Sequence, residues 1–195
     1  MANKINEAVE FVINVCDDNT HGYSQVHRWG NPDFDCSSLI ITAFEKSGVP
    51  VKTNGATYTG NMYNVFIKTG FVDVTKKVNL KTGEGLHYGD VLLTPNHHTE
   101  IYVGNGKLAG AHHDEKGGVI GRQVGDQTGT EISVRKYYNY PWRYVLRYVD
   151  TIDKILTIDD LVNAIISGEF GNGEQRKENL YKYFQEKVNE KLRRS

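Results

Sequence analysis

At 195 residues, with 38% hydrophobic and 24% charged side chains, the chain has room for one medium domain with a packed core and a small appendage. A formal net charge of −1 excludes the broad basic face of a nucleic-acid protein. No apolar run approaches membrane-spanning length, which excludes a membrane protein of the helical kind. From the N-terminus, residues 3–16 predict an amphipathic helix whose apolar stripe is Ile5, Ala8, Val9, Val12 and Cys16, so Cys16 reads as a core residue. A polar loop follows. CSSLIITAFEKSG then predicts a second helix, stopped at Gly48, and NMYNVFIKTG a third, shorter one. Beyond it the period changes to two. FVDVT, DVLLT, HTEIYVG, the stretch after Gly106 and YVLRYV predict strands.

Near Asp150 the alternation ends. TIDKILTIDDLVNAIISGEF is helical, GNG interrupts it, and a Lys/Glu-rich helix closes the chain. The expected organisation is α+β. Residues 1–149 form the main domain, 150–155 a linker and 156–195 a small all-α module. With two cysteines in a chain this long, a disulfide framework is not expected.

Cys36 follows Asp35, a favoured helix N-cap, and opens a helix. There the positive end of the helix dipole favours thiolate, the nucleophilic form. A thiolate needs an imidazole partner. His98 starts a strand in which Thr99, Ile101 and Val103 take the core face, leaving His98, Glu100 and Tyr102 on the other.

FDCSSLI, YGDVLL and HTEIYVGNGK, in this order, resemble the NlpC-type cysteine peptidases and amidases. YSQVHRWGNPDFDCSS is similar to bacteriophage peptidoglycan hydrolases (endolysins) of the amidase-five type. The resemblance covers roughly residues 5–148. It implies a papain-like fold, helices packed on an antiparallel sheet, with Cys36 as nucleophile and His98 as general base. Tyr23 would lie near the thiol and Asp35 would be structural.

The third catalytic residue departs from that family, which usually has a polar residue, often His, twelve positions after the catalytic His. Here that position is Gly110. A three-residue loop at Gly104–Gly106 would pair Val103 with Lys107, Glu100 with Gly110 and His98 with His112. Two candidates follow. His112 orients His98 from the facing strand, or Glu100 fills the space left by Gly110. The histidines His97, His98, His112 and His113 allow a rival zinc reading, but their spacing matches no zinc motif, so neither metal nor cofactor is expected. In the Tyr-rich stretch from Gly125, Asp126 and Gln127 are candidates for substrate contact.

IDDLVNAIISGEFGNGEQRKENL is similar to the CW-seven cell-wall-binding repeats: a helix, a glycine-rich turn, an Arg-bearing helix and a third helix. That resemblance implies muropeptide contacts from Phe170, Asn172 and Arg176, with a homo-oligomer as one way to multiply a single weak site. The implied activity is hydrolysis of peptidoglycan amide bonds, by an N-acetylmuramoyl-L-alanine amidase or by a stem-peptide or cross-bridge endopeptidase. A wall-binding protein that has lost catalysis is the alternative. The acidic start MANKINEAVEFVINVCDD has no signal-peptide pattern, so synthesis in a bacterial host's cytoplasm and action after membrane permeabilisation are expected.

Overall fold

The computed structural model describes residues 4–149 and 158–193. Contacts divide the chain into two compact units with the boundary after Tyr148. The expected linker, 150–155, lies outside the described residues.

The first unit begins with α1 (Lys4–Asp17), α2 (Cys36–Lys46) and α3 (Thr59–Lys68). Strands β1 (Phe71–Asp73), β2 (Val91–Thr94), β3 (His98–Gly104), β4 (Lys107–Ala111), β5 (Ile132–Lys136) and β6 (Tyr144–Tyr148) follow. They form one antiparallel sheet in the order β1-β6-β2-β3-β4-β5. The expected helices and four of the expected strands appear close to their predicted places. FVDVT shortens to β1, and β5, inside the Tyr-rich stretch, was not among the predicted strands.

Both faces of the sheet are covered. The stripe of α1 and the apolar side of α2 (Leu39, Ile40, Ala43, Phe44) bury against Val91, Leu93, Ile101, Ala109 and Leu146. Rings of Phe44, Phe66 and Phe71 pack edge-on or tilted, with centroids 4.5–6.0 Å apart, where α2, α3 and β1 meet. On the opposite face Leu92, Leu108, Trp142 and Val145 make a second core, packed by Tyr102, Tyr137, Tyr138 and Tyr140. A polar residue on either face of the central strands is therefore out of water and must find partners.

Asp90, at the Gly-Asp step into β2, shows how this is met. It is 1% exposed. It holds Arg147 of β6 through both oxygens at 2.7 Å and accepts the His87 N–H at 2.8 Å. Removing the cation strands a buried carboxylate. Arg147→Met is expected to cost about 3 kcal/mol, roughly 10 °C in melting temperature. Thermal unfolding followed by circular dichroism checks it, and an unchanged midpoint would show that Asp90 does not need the charge.

The β3–β4 hairpin departs from the expected three-residue loop. Gly104 pairs with Lys107, and the turn is the two residues Asn105 and Gly106, with φ of 51° and 65°. Two positive φ values in an Asn-Gly pair are the type I′ signature, which matches strand twist. The register shifts between Tyr102 and Gly104, so Val103 is an extra residue, a β-bulge. Beyond it Ile101 pairs with Ala109, and one step further the ladder sets Glu100 against Gly110.

The second unit contains α4 (Ile158–Ile166) and α5 (Gly173–Arg193). The glycines at 168, 171 and 173 carry φ of 86°, 76° and 56° and make the turn between them. The expected third helix is not found among the described residues, because α5 runs unbroken for 21 residues. Phe170 is fully buried with Ala164 and Tyr183.

Candidate active site

Asp35 caps α2. Its Oδ1 accepts the Ser38 N–H at 2.7 Å and the Ser37 hydroxyl at 2.9 Å, while its own N–H donates to Ser38 Oγ at 2.9 Å. Arg28 Nε sits 2.9 Å from the other oxygen. This closed capping box fixes Cys36 as the first residue of the helix.

The Cys36 side chain is buried, and burial pushes its thiol up to about 12, with the Asp35 charge adding to the rise. Hydrogen bonds from the backbone of Thr99 and Ser37 and the charge of Arg28 act in the opposite direction and are outweighed. The sequence expectation of a thiol lowered by the helix dipole is thus corrected. Desolvation wins, the resting group is neutral, and its proton must leave as the sulfur attacks. The Thr99 contact places the sulfur against the start of β3. Tyr23 is also close, since the Cys36 charge contributes to raising its phenol, after burial.

His98 Nε2 lies 2.9 Å from Glu100 Oε1. His112 Nδ1 lies 3.3 Å from the same oxygen, and the Tyr138 hydroxyl donates to it at 2.6 Å. Glu100 is fully buried. Burial alone would raise its carboxyl, but hydrogen bonds and charge from His112 and His98 overcome this and hold it at about 2. His112 is lowered, chiefly by burial and against the pull of Glu100. In a neutral His98 whose Nε2–H donates to the ionised Glu100, Nδ1 keeps the lone pair that a general base needs.

The direct partner of His98 is therefore Glu100. The His98 and His112 rings are 5.9 Å apart by centroid, and their link runs through the carboxylate. Of the two candidates, His112 as orienter does not fit, because the facing strand delivers it to Glu100 rather than to His98. Gly110 explains why a carboxylate fits at all. A Cβ at Gly110 would lie 2.8 Å from Glu100 Cγ, so the absent side chain on β4 is the space the Glu occupies.

The pattern of the endolysin-like domain family matches residues 30–109 and 108–190. The chain belongs to the endolysin-like domain family. No curated protein matches it. Among solved structures it is similar to a hypothetical invasion protein of Mycobacterium tuberculosis, at 22% identity and a TM-score of 0.43 over 74% of this chain and 63% of that one. NlpC1 from Trichomonas vaginalis gives 16% and 0.45, covering 76% of this chain and 45% of that one. The peptidoglycan hydrolase RipB from M. tuberculosis gives 20% and 0.43, covering 77% and 69%. The chain thus spans less than two thirds of the first two proteins, and likenesses this distant carry no argument about its chemistry.

In this endolysin-like domain, three aromatic residues missed in the sequence pack at the site, two against His98 and one against Glu100. Trp142 stacks on its ring at 5.8 Å with planes 23° apart, and Tyr140 meets it edge-on at 5.5 Å. Tyr138 is the third. Their spacing of two along an extended stretch puts them on one face, a signal available in YYNYPW. Tyr138→Phe is expected to lower turnover about tenfold by freeing Glu100, with KM little changed. Steady-state kinetics check this, and a pure KM effect would make Tyr138 a substrate contact.

Other candidates are not brought to this cluster. Asp126 is buried, and its two oxygens accept N–H groups of Thr128, Thr130, Glu131 and Ile132. That carboxylate is spent on its own loop, so the substrate role is corrected to a structural one. The Gln127 amide likewise donates to the Val124 carbonyl at 2.8 Å. Cys16 is buried and raised to about 12 by burial and then Asp17, an inert thiol. His97 and His113 are exposed and lie outside the cluster. In the second unit Phe170 is core rather than a contact surface, which corrects its binding role. Arg176 donates to the Gly171 carbonyl and to Asn172 Oδ1, each at 2.9 Å, which leaves this pair at the glycine turn.

Proposed function

We propose that this endolysin-like domain is a cysteine-dependent peptidoglycan hydrolase of phage type, acting as an N-acetylmuramoyl-L-alanine amidase. The observation that carries the reading is His98, held by a buried, ionised Glu100 and next in the chain to Thr99, whose backbone hydrogen-bonds the thiol of Cys36. The papain-like assignment rests on a helix that opens with Cys packed on an antiparallel sheet whose inner strand opens with His.

His98 takes the thiol proton through its free nitrogen as sulfur attacks the amide carbon, and the imidazolium is stabilised by Glu100. N–H groups of the first α2 turn stabilise the oxyanion. The tetrahedral adduct expels the amine, which takes the proton back, and leaves a thioester. Water then gives a proton to His98, attacks the thioester carbon and releases the acid and the thiol. Because the resting thiol is neutral, proton transfer and attack are coupled.

The tail binds muropeptide through Asn172 and Arg176, where a guanidinium beside an amide suits a carboxylate. The protein is made in a bacterial host's cytoplasm and reaches the wall once the membrane is permeabilised. Mass spectrometry of fragments released from purified wall tests the bond cut. New N-terminal L-Ala is expected. New termini further along the stem would make it an endopeptidase, and no release by the intact chain would make it a binding protein.

A further inference from the structure

We infer that His98, Glu100 and His112 form a binding site for a divalent transition-metal ion, Zn2+ above all, whose occupation switches the hydrolase off. The switch rests on the function proposed above, whereas the binding site does not.

One ligand atom from each residue lies within 4.8 Å of the other two. Around a tetrahedral zinc, with bonds near 2.0–2.1 Å, ligand atoms sit about 3.4 Å apart. The nitrogens of His98 and His112 already lie 2.9 and 3.3 Å from one Glu100 oxygen, so small side-chain adjustments suffice. Two imidazoles and a carboxylate are a donor set zinc takes readily.

A second observation is independent of this spacing. Glu100 is fully buried, yet three donors crowd onto Oε1 while Oε2, equally buried, has no hydrogen-bond partner. A carboxylate oxygen out of water without a donor is costly and calls for a water or an ion. A cation would use that idle oxygen and relieve the crowding at the other.

The base His98, its partner Glu100 and His112 would then all be ligands. An imidazole bound to a cation holds a second proton poorly, so His98 could not take the thiol proton. Occupation and catalysis exclude one another, the opposite of a zinc hydrolase.

The test titrates Zn2+ into the full-length chain by calorimetry and follows muropeptide release across the same range. One Zn2+ per chain is expected, with release falling as the site fills and a chelator restoring it. His112→Ala is expected to weaken binding at least tenfold, a typical loss around metal sites. Replacing the surface residues His97 and His113 with Ala should leave binding unchanged. Should His112→Ala fail to fold, Glu100→Gln serves, with Co2+ absorption reporting ligand geometry in either variant. Cys36→Ala should bind Zn2+ like wild type while releasing nothing. Undiminished binding in both His112→Ala and Glu100→Gln would overturn the site. Activity lost to a chelator and regained with Zn2+ would overturn the switch. Wild-type binding at this site by a chain that never releases muropeptide would overturn the hydrolase function and leave the site standing.

Discussion

Cys36→Ala is expected to abolish muropeptide release, lowering the rate by at least about 10⁴-fold, while the melting temperature stays near that of wild type. The size of the effect follows from chemistry: without sulfur there is no acyl-enzyme, and water must attack the amide directly. Stability should survive because α2 is held by Asp35 and Ser38 and by Leu39, Ile40 and Phe44, none of which depends on the thiol. Cys36→Ser keeps the shape but presents a hydroxyl far harder to ionise, and is expected to be nearly as inactive. Turbidity clearing of purified wall, read beside a thermal melt, separates chemistry from folding. Equal clearing by Cys36→Ala and wild type would end the thiol mechanism.

The second large effect is expected at Gly110. An added Cβ would meet Glu100 Cγ at 2.8 Å, closer than side chains approach in folded proteins. Gly110→Ala is expected to cost about 2 kcal/mol through overpacking, and Gly110→His more. Both should push the carboxylate off His98 and lower turnover about 100-fold. The informative variant combines Gly110→His with Glu100→Ala. It moves the polar partner from β3 to the facing β4 position, where the space vacated by the Glu receives it. Its turnover should exceed that of either single substitution, a non-additivity expected only of residues sharing one space. Wild-type stability and rate in Gly110→Ala would show that the contact is not tight.

The parts of this site that were legible in the sequence are those fixed by short-range rules. Asp35 before Cys36 is a helix cap in any context, and the alternation of β3 places His98 and Glu100 on one face without knowledge of the rest of the fold. The pairing of Glu100 with Gly110 was readable as well, although the turn that produces it was misjudged. Asn105 and Gly106 form a two-residue turn, and the bulge at Val103 restores the offset that a three-residue loop would have given. What could not be read depends on long-range packing. The thiol rises instead of falling because burial, which no local pattern reports, exceeds the pull of the Thr99 and Ser37 backbone and of Arg28. Tyr138 reaches Glu100, and Trp142 reaches His98, from a segment that closes the far face of the sheet. Asp126 resembles a substrate ligand in composition and is a loop staple in space. Phe170 matched a repeat motif, but a small helical unit needs its large rings, Phe170 and Tyr183, inside.

The bulge at Val103 also sets where this hairpin tolerates a change of length. Side chains on a strand alternate, so one residue gained between Glu100 and Val103 would turn the imidazole and the carboxylate toward the α1–α2 layer and empty the site. One residue gained at Asn105–Gly106 only lengthens an exposed loop beyond the bulge and leaves that alternation untouched. Insertions and deletions in this stretch should therefore divide sharply into silent and ruinous within a few positions, with Val103 as the divide.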